Sequence, residues 1–365
     1  MNDPAAVVYD PVHAMYHDHW EDHLAKPGGQ YVRGHAVSRD LVHWAHLPVS
    51  LWNDRPYDNW AIFTGSATVV DGAVVQVYPG LCKPVKAGTT CPGATNLAIA
   101  VPEDPSDPFQ TNWTKDGKVG TLTGYVNPIA NNTGRDPSTA WRTPAGEWRL
   151  TSYGSQIYGS MDFKSWYHIG TQKSFPGGEC PSFMPLPRTT PGSGKPPPGA
   201  TSPTHVYKAS HGGKDWMSVG TYVAGPPNTI GNFTMLGKEV IIDKGALYAS
   251  KDFYDPVGQR RINWGWAKIA YGEWNTGNPW DSSAHSLPRE MTWHAELQQL
   301  VFSPLEEQKQ LRGQVLGQLS QQVRDARCTH ACPNRRVYAC LYLNMYVCMH
   351  ICMCMCMCMH VCMAM

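Results

Sequence analysis

Helical periodicity is almost absent from this chain. In its place short runs of β-branched and aromatic residues recur, each closed by Gly, Pro, Asn or Asp. Residues 67–70 and 73–78 flank Asp71-Gly72, a dipeptide whose tolerance of positive φ favours a tight hairpin. Residues 148–153 and 157–160 around Gly154-Ser155, and 216–223 before Gly225-Pro226-Pro227, repeat the pattern. Many short antiparallel strands at this spacing predict an all-β fold and leave a sandwich, a barrel or a propeller open. Residues 187–203, rich in Pro, Gly, Ser and Thr, predict a surface loop rather than a domain linker.

The 365 residues are 42% apolar and 16% charged, enough for a sizeable core. A net charge of +1, with no basic block over the first 312 residues, argues against a nucleic-acid or membrane partner and favours a small neutral ligand. The aromatics are 14 Trp and 17 Tyr against 8 Phe, a bias towards rings with a polar handle that suits sugars. No apolar run reaches eighteen residues, so no transmembrane helix is expected. Three glycosylation sequons, at Asn112, Asn131 and Asn232, imply surface loops if the chain enters the secretory route. Cys82 and Cys91 bracket a loop and either form a disulfide or stay as two thiols.

Three acidic triplets carry chemistry: Asn2-Asp3-Pro4, Arg135-Asp136-Pro137 and Glu179-Cys180-Pro181. Each sets a carboxylate beside a proline that interrupts regular backbone. Cleavage of a glycosidic bond needs a nucleophile, a stabilising anion and a proton donor. Taken singly the triplets read as turns or surface ion pairs. In this order, with Gly34-His35-Ala36-Val37-Ser38-Arg39-Asp40-Leu41-Val42-His43-Trp44 and Phe63-Thr64-Gly65-Ser66-Ala67 between them, the chain resembles the family 32 glycoside hydrolases, the invertase and fructanase group. The resemblance runs from residue 1 to about Arg312.

It implies a five-bladed β-propeller as catalytic domain over 1–302, and a connector over 303–327 leading to a β-sandwich missing here. By the same resemblance Asp3 is the nucleophile, Glu179 the acid/base and Asp136 the transition-state stabiliser, kept ionised by Arg135. Glu179 is expected to lie at roughly 5 Å from Asp3, with a pKa raised by burial and by that charge. Asn2, His17, Phe63, Thr64, Arg135 and Asp243 are implied to bind the sugar, His17 in the place of a Gln that contacts fructose. Arg33 stands where a Trp is expected, and Ala246 where a Lys often follows the glycine after Asp243. The implied activity is retaining hydrolysis of β-fructofuranosides, sucrose or short fructans, without cofactor, by a secreted or vacuolar protein. Met1 directly precedes Asn-Asp-Pro, and the N-terminus is expected to be incomplete. Fructosyl transfer and a catalytically impaired carbohydrate-binding relative are the alternatives.

His13, His17 and His19 share one face of a strand, but no carboxylate or Cys completes a metal set. Solvated or hydrogen-bonded histidines, and no metal, are expected. Residues 328–365 hold nine cysteines and a strict Cys-Met alternation at 352–359. This composition predicts a disordered low-complexity tail, of the kind an alternating purine–pyrimidine repeat encodes when read through in frame, rather than a domain.

Overall fold

The computed structural model describes residues 1–23, 31–84, 90–268 and 284–315, with strand residues 326–327 and 336–337. Met1–Leu311 forms one compact unit. In the second, Arg312–Met365, Ala326–Arg327 pairs antiparallel with Arg336–Val337. The rest of the tail reading lies outside the described residues.

Met1–Leu311 is a five-bladed β-propeller of antiparallel sheets taken in chain order. The first blade runs through Val8–Asp10, Met15–Asp22, Val32–Ser38 and Ala45–Leu51. The second is built on Ser66–Val70, Ala73–Leu81 and Thr95–Pro102. Trp141–Arg142, Trp148–Ser152, Gln156–Ser160 and Tyr167–Thr171 make the third. Glu179–Pro185, His205–His211, Lys214–Val223 and Asn232–Met235 make the fourth. Leu247–Asp255, Arg260–Ala267, Arg289–His294 and Gln299–Pro304 complete the fifth.

The hairpin expected at Asp71-Gly72 forms as read. Val70 pairs Ala73, and the turn residues have φ of 50° and 88°. Such a mirror-image turn matches the twist of the flanking strands.

Alternation along each strand gives every sheet two apolar faces, and each blade packs both against neighbours. Ala6 and Val8 meet Ala67 and Val74 between the first and second blades. Val77 and Ile99 meet Leu150 and Phe163 between the second and third. Ile157 meets Phe183 and Tyr207 between the third and fourth. Met184 and Val206 meet Met291 between the fourth and fifth. The ring closes where Tyr16 and Leu41 meet Phe253, Ile262 and Trp264. There the buried Tyr16 hydroxyl donates to Asp255 at 3.0 Å. Closure removes the open side face that a lone sheet would leave to water.

Candidate active site

Asn2-Asp3-Pro4 runs beside the end of Met15–Asp22. The Asn2 amide donates to the Glu21 carbonyl at 3.0 Å, the Glu21 amide to the Asp3 carbonyl at 3.1 Å, and Pro4 bridges Trp20. Pro4 sits where the pairing needs no amide from it, the bonds on either side coming from Glu21 to the Asp3 carbonyl and from Ala5 to the His19 carbonyl at 2.7 Å, and regular pairing stops just after, where Ala5 and Ala6 both donate to His19. Asp3 Oδ2 accepts from Thr64 Oγ1 at 2.7 Å and from Cys180 Sγ at 3.5 Å.

Asp136 is set by backbone bonds on either side of it, Tyr153 amide to Arg135 carbonyl and Ser138 amide to Thr151 carbonyl, each 2.8 Å. Between them its φ of 59° lies in the left-handed region, as does the 46° of Cys180. Strain of this kind persists where the surrounding structure over-determines it, and it clusters at functional sites. Glu179 opens the fourth blade just after Gly178, whose φ is 115°. A Cβ at Gly178 would meet Ala209 Cβ and the Ser210 carbonyl at 2.9 Å, so the chain can pass only as glycine.

Cys180 gathers the site. Its amide donates to Asp136 Oδ2 at 3.1 Å, its thiol reaches Asp3, and Glu179 precedes it in the chain. Lys208, buried, fixes this corner by donating to the Cys180 carbonyl at 3.1 Å, Ser210 Oγ at 2.9 Å and the Ser250 carbonyl at 2.6 Å.

Burial raises the pKa of Asp3, against the lowering effect of the Thr64 and Cys180 hydrogen bonds and the charges of Lys208 and Lys251. Burial also lifts Asp136, to about 6, with Lys251, the Cys180 amide and Arg135 opposing it. Glu179 goes the other way from the expectation. Burial still pushes it up, but Tyr248 Oη donates to Oε2 at 2.5 Å and Arg135 Nη2 pairs with Oε1, and together these hold it below the usual range. Arg135 therefore serves Glu179 more closely than Asp136, whose Oδ2 lies 3.7 Å from its Nε.

The structure brings Asp3, Asp136, Glu179, Thr64 and Arg135 together. Phe63 stands next to Thr64 in an aromatic wall with Tyr31 and Trp60, at ring separations of 5.1 and 5.9 Å. Asn2 contributes its backbone, its carbonyl accepting from His285 Nε2 at 2.9 Å. Asp243 is tied to Arg289 Nη1 at 2.9 Å and to the Gly245 amide at 2.7 Å, and no bond joins it to the three carboxylates.

His17 does not join the site. It pairs opposite Val8, five residues beyond Asp3, and its Nδ1 bonds His35 Nε2 at 2.9 Å. His17, His19 and His35 are fully buried, with ring planes within 19° of one another. The expectation of solvated or hydrogen-bonded strand histidines is half right, since burial is complete. Their ring nitrogens lie within 4.8 Å of one another, and two of them, His17 Nδ1 and His35 Nε2, already bond each other.

The position beside Asp3 is taken by Glu21, which the sequence reading missed. The buried Arg33, seen there only as an unexpected residue, faces Glu21 across the strand pair and donates through Nη2 to the Phe63 carbonyl at 2.7 Å. Tyr248 and Lys251 were also unforeseen. Neither lies in a motif, and strand alternation alone does not mark the centre of a propeller.

Five blades that deliver carboxylates from three of their entry segments to one point define a propeller with an acidic centre. Residues 1–304 match the family described as Glycosyl hydrolases family 32 N-terminal domain, and the chain belongs to that family. It is 32% identical over 335 residues to an acid beta-fructofuranosidase of Vigna radiata var. radiata, covering 86% of this chain and 49% of that one. It is equally 32% identical over 333 residues to acid beta-fructofuranosidase 4, vacuolar, of Arabidopsis thaliana, covering 86% and 48%. The crystal structure of fructan 1-exohydrolase IIa from Cichorium intybus superposes with a TM-score of 0.68 at 28% identity, covering 86% of this chain and 60% of that one. The chain thus spans about half the length of the curated relatives it matches.

Proposed function

We propose that this chain is the catalytic propeller of a retaining β-fructofuranosidase acting on sucrose or a short fructan. The observation that carries this reading is the convergence on Cys180, where Asp3, Asp136 and Glu179 meet from three blades. Asp3 attacks the anomeric carbon of the fructosyl unit as the bond to the leaving oxygen breaks, and Glu179 gives that oxygen its proton. Glu179, now a carboxylate, takes a proton from water, and the resulting hydroxide equivalent displaces Asp3 from the ester. Asp136 accepts hydrogen bonds from the sugar and opposes the positive charge that develops on the ring.

Glu179 must hold a proton to act first, whereas Arg135 and Tyr248 favour its ionised form in the ligand-free protein. A neutral sugar entering beside Glu179 excludes water and competes for Arg135, and both effects raise the pKa of the acid. The partly exposed Phe63 and Trp60 offer ring faces to the sugar. On this reading no cofactor or metal takes part, and the partner is a small sugar.

The same reading assigns the chain to the secretory route, for export or the vacuole. Asn112, Asn131 and Asn232 are all exposed, and Cys82 and Cys91 are joined in a disulfide with Cα atoms 5.7 Å apart. Residues 303–327 are the connector to a following domain in this proposal.

Incubation with sucrose, inulin and levan separately, with identification of the sugars released, tests the activity. Free fructose from any of them supports hydrolysis. Longer oligosaccharides in place of fructose indicate transfer, and unchanged sugar with measurable binding indicates an impaired relative.

A further inference from the structure

Thr64 Oγ1 lies 2.7 Å from Asp3 Oδ2 and 2.9 Å from Glu21 Oε1. Both are hydrogen-bond distances between oxygens. A threonine hydroxyl has one hydrogen, and an ionised carboxylate has none to give. That single hydrogen can serve two ionised carboxylates only as a weaker three-centre bond, whereas a proton on one of them makes both contacts full hydrogen bonds.

Two features decide which. Asp3 accepts a second hydrogen bond, from Cys180 Sγ, and feels the charges of Lys208 and Lys251. Glu21 is 7% exposed and Thr64 1%, so this edge of the site is dry. The groups that face Glu21 are Asp3 and Asp136, which oppose a second negative charge, and Arg33, which favours one. Tyr31 packs on the same side and is itself pushed upward by burial, then by Glu21 and Asp3. Among the described residues no carboxylate oxygen lies within 4 Å of an Arg33 nitrogen, and its Nε and Nη1 are buried without a partner. Burial and the Asp3 charge raise the Glu21 carboxyl well above its ordinary range.

We propose that Glu21 is a positioning residue that holds a proton in the resting protein, its carboxyl O–H donating to Thr64 Oγ1 and the Thr64 hydroxyl donating to Asp3 Oδ2. The Asp3–Glu21 pair then carries one negative charge between them, placed on Asp3. It deepens the proposed function by naming what keeps the nucleophile ionised beside a second buried acid.

Infrared spectroscopy of the whole chain tests this without any sugar, so it stands or falls separately from hydrolysis. At about pH 8 Asp136, with a pKa of about 6, is ionised, and a buried carboxylic acid still shows its own carbonyl band. The expected result is a protonated-carboxyl band in the wild type that is lost in Glu21→Gln. In Thr64→Val the band shifts, because the acceptor of the Glu21 O–H has gone. If Glu21→Gln does not fold, Thr64→Val decides alone. Absence of the band from the wild type, its survival in Glu21→Gln, or an unmoved band in Thr64→Val overturns the proposal.

Discussion

The amide of Cys180 donates to Asp136 Oδ2 at 3.1 Å, although the two residues lie 44 positions apart and on different blades. Both have positive φ, so each blade enters the centre through a strained residue. Asp3 meets the same cysteine through its thiol. A single residue thus ties together the entry points of three blades.

Removing the reacting groups should abolish turnover rather than binding. Asp3→Ala and Glu179→Ala should each lower kcat on sucrose by about 10³-fold or more, because nucleophile and acid/base act as a unit. Asp136→Asn should lower kcat more than it raises KM. Azide should partly restore Glu179→Ala with a substrate carrying a good leaving group, since the missing proton is then bypassed. Near wild-type turnover in Asp3→Ala would remove Asp3 from the mechanism.

Tyr248 donates to the ionised form of Glu179. Tyr248→Phe takes away a bond that favours the carboxylate, so the Glu179 pKa should rise. The acid is then retained to higher pH, and the alkaline limb of the kcat/KM profile should move upward by about one unit. A downward shift contradicts this role.

His17→Gln should affect stability and leave KM for sucrose nearly unchanged, because His17 bonds His35 in a fully buried stack away from Asp3. The expected loss is about 1–3 kcal/mol by denaturant titration, from disturbed packing and an altered hydrogen bond. A large change in KM with unchanged stability would place His17 at the sugar after all.

The same stack should make the fold acid-sensitive. Burial lowers the His17 pKa to about 4, and lowers His19 and His35 as well. Unfolded imidazoles take up protons below about pH 6.5 while the folded ones resist. For these groups the unfolded state then binds more protons, so their contribution to stability should be complete above pH 6.5 and decline towards about pH 4. Melting temperature against pH measures this, and His17→Gln should flatten the slope.

Reduction of Cys82–Cys91 releases a loop with a sequence separation of only 9. A closed loop that short restricts the unfolded chain modestly, by about 2–3 kcal/mol. Cys82→Ser with Cys91→Ser should lower the denaturant midpoint accordingly and leave sucrose turnover within about twofold, since neither cysteine contacts Asp3, Asp136 or Glu179.

Several short strand runs, the turn at Asp71-Gly72 and the three acidic triplets were legible in the sequence, because each rests on local preference: alternation, positive φ, and the interruption a proline imposes. Family likeness then implied the propeller, which the structure has, and the roles proposed for the three carboxylates. Which residue of Met15–Asp22 stands beside Asp3 was not legible. His17, His19 and Glu21 share one face of that strand, and only register separates them. The Pro4–Trp20 bridge and the Glu21 amide set that register, putting Glu21 beside Asp3 and sending His17 into a buried stack. The charge state of Glu179 was equally hidden, for Tyr248 and Arg135 reach it from blades that lie far away in the chain. Local chemistry is written along the sequence, whereas the partners of a buried charge are fixed only when the blades close into a ring.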